Sequence, residues 1–118
     1  MEIINFCGIK GQVIETSPHG NYKVVQLSRR VAICGTISNS FNWEESPDNN
    51  SGFISFIAYF GLRSAYEKQE LEEKIADKGG YLKNSEGIRK AKRVKAYPFE
   101  IKVRGLSPES LVDLIKKE

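Results

Sequence analysis

The chain is poor in the residues that build metal centres, disulfide scaffolds and nucleophilic active sites. It has one histidine, His19, and two cysteines, Cys7 and Cys34. Two separated cysteines and one turn histidine do not supply a typical structural zinc site. Nor do two cysteines make a disulfide framework; they read as small buried thiols in a reducing cytosol. With His19 in a turn, neither a Ser-His-Asp nor a Cys-His arrangement is readable. Gly8-Ile-Lys-Gly11 and Lys78-Gly-Gly80 are too short for a phosphate loop, since no G-x-x-x-x-G-K-[ST] run occurs. Glu70, Glu72 and Glu73 read as a solvated helix face, and no acidic cluster has the spacing of a cation loop. These absences predict a protein with no metal, no cofactor and no catalysis. No apolar run approaches the roughly 18 residues of a membrane span. The Met-Glu-Ile-Ile-Asn-Phe start lacks the basic region of a signal peptide. A cytoplasmic protein with no membrane partner is the expectation.

What is present is an ordinary globular composition, 28% charged and 40% hydrophobic over 118 residues. That predicts one domain with one core, spanning 1–118. The net charge is only +3, but it is unevenly placed. Residues 83–104 carry Lys83, Arg89, Lys90, Lys92, Arg93, Lys95, Lys102 and Arg104, opposed by Glu86 and Glu100 alone. A stripe of this kind is the footprint of a polyanion-binding surface.

Hydrophobic patterning predicts a β-rich chain. Ile3 to Glu15 reads as one strand, with Gly8 and Gly11 marking a bulge or bend. Thr16 to Asn21 is turn chemistry, and Tyr22 to Ser28 is a second run. From Val31 to Trp43 the pattern alternates. Val31, Ile33, Ile37, Phe41 and Trp43 share one parity, so a long ribbon with one bulky face is expected. Glu44 to Gly52 is a polar loop. Phe53 to Phe60 is nearly all apolar, as in a central strand. Ser64 and Glu67 form a capping box and Gly79-Gly80 a stop, which predicts a helix over 64–78. A mobile turn around Asn84 to Gly87 and a strand over about 94–103 follow, with Pro98 at an edge or bulge. Ser107-Pro108 opens a terminal helix over about 107–117. This order is that of an OB-fold, a five-stranded antiparallel barrel with a helix between strands 3 and 4 and a short C-terminal helix. The fold presents one sheet face and its loops to oligonucleotides.

Several segments resemble the bacterial single-stranded DNA-binding protein family, the SSB type of OB-fold. Ile3-Ile-Asn-Phe-Cys-Gly8 is similar to its opening strand. Ser17-Pro-His-Gly20 with Tyr22-Lys-Val-Val-Gln-Leu-Ser28 resembles its T-P-x-G turn and the strand after it. Ser38-Asn-Ser-Phe-Asn-Trp43 resembles a Ser-rich approach to a stacking tryptophan, and Phe53 to Leu62 a third strand ending in Phe-Gly. The likeness covers about residues 3–80. Past Gly79-Gly80 the family's V-x-V-x-G-x-L strand is missing. The chain ends Ile-Lys-Lys-Glu rather than in an acidic, Phe-ended tail, so tail-mediated recruitment of partners is not implied.

Sequence-tolerant binding of a single strand needs aromatic faces for bases and a basic groove for phosphates. Trp43 is the leading stacking candidate, and Phe41 shares its parity. In the Phe53–Phe60 run, Phe56 and Phe60 share one parity, and Phe53 and Tyr59 the other. One set must be core, and the family resemblance favours Phe60 as a stacking position. Tyr97 and Phe99, interleaved with Lys95 and Lys102, form another aromatic and basic cluster. Arg89, Lys90, Lys92, Arg93 and Lys95 are the phosphate candidates. The expected partner is single-stranded DNA, with a homo-oligomer, dimer or tetramer, compatible with the pattern. A protein-interaction OB module, a subunit of a replication or conjugation complex, and an RNA-binding OB protein are the alternatives.

Overall fold

A computed structural model describes residues 2–18, 22–37, 53–82 and 94–116. Its first strands are not the single strand expected. β1 (Ile3–Phe6) and β2 (Ile9–Thr16) form an antiparallel hairpin, with Phe6 paired to Ile9 across two turn residues. Those residues, Cys7 and Gly8, have φ of 49° and 92°. Positive φ at both central positions reverses the chain in the tight turn whose twist suits a hairpin. The side chain of Asn5 accepts from Gly8 N–H at 2.7 Å and closes the turn. Cys7 is thus half-buried in a turn, and only Cys34 is a buried thiol.

β3 (Tyr22–Gln26), β4 (Val31–Ile37) and β5 (Phe53–Leu62) continue the antiparallel meander. The C-terminal part adds β6 (Tyr81–Leu82) and β7 (Phe99–Arg104), and β7 lies between β5 and β6. The result is a β-rich, antiparallel sheet of seven strands in the order β1-β2-β3-β4-β5-β7-β6. Among the described residues no ladder joins β6 to β1, so the described sheet is open.

Of the alternation expected from Val31 to Trp43, Val31 and Ile33 lie on the core face, while residues 38–43 lie outside the described residues. Val25, Val31, Ile33, Ala58, Phe60, Leu62, Ile101 and Val103 are buried in one cluster together with Ile4 and Phe6. The parity of β5, however, is broken near its start. Ile37 pairs with Phe53 while Thr36 pairs with Ser55, so one residue of β5 is skipped. Such a bulge turns the strand over. Phe53 and Phe56, of opposite parity in sequence, therefore both pack on the main core. On the other face Val24, Cys34 and Tyr59 form a second small cluster, with Tyr22 and Ile57 against it. The Tyr22 hydroxyl and the Cys34 thiol are hydrogen-bonded there.

Two helices cover the main cluster. α1 (Ala65–Asp77) starts at Ser64, whose side chain accepts from Glu67 N–H at 3.1 Å. It ends as Gly79 N–H and Gly80 N–H donate back to Ala76 and Ile75 carbonyls, the paired C-terminal closure predicted from the Gly-Gly stop. α2 (Pro108–Lys116) starts at Ser107, whose hydroxyl accepts from Ser110 N–H at 3.1 Å, and it buries Leu111, Val112 and Leu114. No described helix is long and apolar enough to cross a membrane.

Candidate nucleic-acid interface

Trp43, Phe41, Arg89, Lys90, Lys92 and Arg93 lie outside the described residues. Phe60 corrects the expectation placed on it. Only 2% exposed, it is paired with Val31 on one side and Ile101 on the other, inside the main cluster. A ring enclosed in this way has no face to offer a base. Phe56 is half-buried and stands edge-on to Phe6, centroids 5.7 Å apart, and to Phe53, 6.4 Å apart. The Tyr97–Phe99 cluster is divided. Lys102 lies across Tyr59, its Nζ 6.0 Å from the ring centroid, while Tyr97 joins a group that sequence inspection had not assembled.

That group is built at the junction of three segments. The turn from Leu27 to Arg30 links β3 to β4. It is braced by Gln26 Nε2 donating to the Ser28 carbonyl at 2.6 Å and by Ser28 Oγ accepting from Arg30 N–H at 3.3 Å. The Arg30 carbonyl then accepts from Gly61 N–H at 2.8 Å, fastening the turn to the end of β5. Arg63 follows directly. The third segment approaches β7, where Val94 is buried and its N–H donates to the Glu100 carboxylate at 3.2 Å. Tyr97 N–H in turn donates to the Val94 carbonyl at 3.2 Å.

These anchors lay the Tyr97 ring on Gly61. A Cβ at Gly61 would fall 2.5 to 3.0 Å from three atoms of that tyrosine, closer than packed carbon atoms approach, so glycine is what allows the stack. The Arg30 guanidinium carbon is 5.4 Å from the Tyr97 centroid, within cation–π range. Arg30 is also ion-paired with Glu67, the first-turn acid of α1, and Arg63 Nε lies 3.7 Å from the same carboxylate. Arg30 Nε is buried and has no hydrogen-bond partner.

Arg29, Arg30, Arg63, Ala96 and Tyr97 line an open groove of about 460 Å³, with Lys95 exposed beside Ala96. Three guanidinium groups against one carboxylate leave a positive excess. Guanidinium forks match the geometry of phosphate oxygens, and a tyrosine face can take a base. Composition does not single out Arg29 and Arg30, because residues 1–60 are net acidic and the basic stripe lies elsewhere. Their signal was local: two arginines in a tight turn. What brings them to Arg63 and Tyr97 is strand register, which composition does not carry. Among the described residues no three Cys, His, Asp or Glu side chains converge as metal ligands. Comparison with protein-family models, curated proteins and solved structures finds no match to this chain.

Proposed function

We propose that this protein binds single-stranded DNA and performs no chemistry on it. The observation that carries this reading is the groove lined by Arg29, Arg30, Arg63 and Tyr97, with Arg30 over the Tyr97 ring. Phosphate-matching forks beside an aromatic face are the two ingredients of sequence-tolerant strand binding.

We read the fold as a variant of the OB barrel extended by the β1–β2 hairpin. In support, α1 separates β3, β4 and β5 from β6 and β7, and β7 lies inside β6. That exchange of the last two strands departs from a simple meander, as the Greek-key connection of an OB barrel also does.

The test is a titration of fluorescent oligo-dT at a series of salt concentrations, with RNA of equal length as competitor. Wild-type protein should bind dT in a salt-sensitive way, and RNA should compete poorly. Arg29→Ala and Arg63→Ala should each weaken binding without altering the thermal melt, since both side chains are exposed. Absence of binding at low salt, or binding indifferent to both variants, would sink the proposal; stronger competition by RNA would reassign the strand.

A further inference from the structure

The groove at Tyr97 is one end of a longer arrangement along β7. Side chains alternate between the faces of a strand, and directly paired residues share a face. Ile101 and Val103 turn to the core, so Glu100, Lys102 and Arg104 occupy the opposite face. Gly61 pairs with Glu100, Tyr59 with Lys102, and Tyr81 with Arg104. Tyr97 on Gly61, Lys102 over Tyr59, and Arg104 beside Tyr81 therefore follow one another along one face. From Phe99 to Arg104 the strand covers about 17 Å at roughly 3.4 Å per residue.

The far end repeats the chemistry of the near end. Tyr81 is 58% exposed. Its ring rests on Gly105, where a Cβ would lie 3.0 and 3.1 Å from two ring atoms. Gly105 has φ of 86°, a conformation that favours glycine. Tyr81, Arg104, Gly105, Ser55, Phe53 and Phe56 line a cleft of about 230 Å³. Its aromatic side is stiffened by the edge-on packing of Phe53 and Phe56 on Phe6. Among the described residues no carboxylate pairs with Arg104.

Resting on the single-strand reading above, we infer that the strand runs along β7 from the arginine groove to this cleft. A nucleobase stacks on Tyr81 there while Arg104 and Lys102 meet the backbone phosphates. The occupant is a nucleobase rather than an aliphatic group because the site offers a flat exposed ring beside a guanidinium. It is the second contact of one strand because Lys102 and Arg104 lead along β7 from Tyr97 to the cleft, which opens at the end of the strand where Arg104 meets the core-side wall of Phe53 and Phe56.

The experiment compares oligo-dT of two lengths and uses an iodouracil-substituted oligonucleotide for photocrosslinking. For dT12, Tyr81→Ala should weaken binding about 5- to 150-fold, the range of one lost base stack. Tyr81→Phe should bind as wild type, and Arg104→Ala should weaken dT12 and reduce its salt dependence. For dT3, too short to occupy both ends, Arg29→Ala should have the larger effect. Crosslinks should map to the peptide holding Tyr81. If wild-type protein binds no dT at all, the single-strand reading falls and this one with it. If dT12 binds tightly while Tyr81→Ala and Arg104→Ala stay within twofold and no crosslink reaches Tyr81, only the track is overturned. A Tyr81→Ala variant that melts early leaves Arg104→Ala and the wild-type crosslink to decide.

Discussion

Arg30 and Phe60 show how one position can be assigned by what surrounds it. Arg30 is held on one side by the Glu67 carboxylate and on the other by the Tyr97 ring. A lysine keeps the charge but loses the planar fork, so Arg30→Lys is not a conservative change here. It should weaken dT binding more than Arg29→Lys does in the same titration. Arg30→Ala should also lower stability, by about 1–3 kcal/mol, because a partly buried carboxylate loses a charged partner; urea unfolding measures this. Phe60 has the opposite profile. Its truncation to Ala should remove about 3–5 kcal/mol of stability through a core cavity, with no direct effect on DNA affinity in whatever fraction remains folded. Trp43, the one tryptophan, is a built-in reporter: if it stacks on a base, adding dT should quench its emission. Trp43→Ala should then lower affinity while leaving the melting temperature unchanged.

At the scale of elements, local chemistry was readable and long-range pairing was not. Ser64 with Glu67 and Gly79-Gly80 bracket α1 because caps and stops act within a few residues of where they are written. Ser107-Pro108 marks α2 for the same reason. The alternation from Val31 onward correctly puts Val31 and Ile33 on the core face. The β1–β2 hairpin was hidden because one of its two positive-φ residues is Cys7, a residue that does not advertise a left-handed turn. The face of β5 is ambiguous in sequence because both parities of 53–60 carry aromatics, and a bulge beside Phe53 adds that ring to the core side with Phe56 and Phe60. The groove was invisible for a third reason, since Arg30, Gly61 and Tyr97 are neighbours only after β4, β5 and β7 pair. Two element-level variants follow. Ser64→Ala should destabilise the protein by about 0.5–2 kcal/mol through loss of the α1 cap, read as a lower urea midpoint. Gly61→Ala should displace the Tyr97 ring and weaken dT binding by more than its own loss of stability accounts for.

For the molecule as a whole the proposed function raises the question of which basic surface would carry the phosphates. The Arg89–Lys95 run is the densest in the sequence, with five cations in seven positions, and Arg89 to Arg93 lie outside the described residues. The groove is sparser in charge but built, with Arg30 oriented by a braced turn, a carboxylate and a ring. Salt dependence separates the two contributions because it counts phosphates rather than affinity. On single strands log K falls with log[salt] at about −0.7 per neutralised phosphate. Replacing Arg29 and Arg63 by Ala should therefore flatten the slope by about 1.4 if each holds one phosphate. Replacing Arg89, Lys90, Lys92 and Arg93 together should flatten it by up to about 2.8 if all four do, and by nothing if that run only faces water. If the contacts are to phosphate as proposed, both sets should weaken dT, dA and dC alike. The expected outcome is that both variants lose slope and that the combined variant loses close to their sum, as for one strand in contact with both regions. A combined loss no greater than that of the larger single set would mean that the two surfaces do not hold the same strand together, and would confine the interface to one of them.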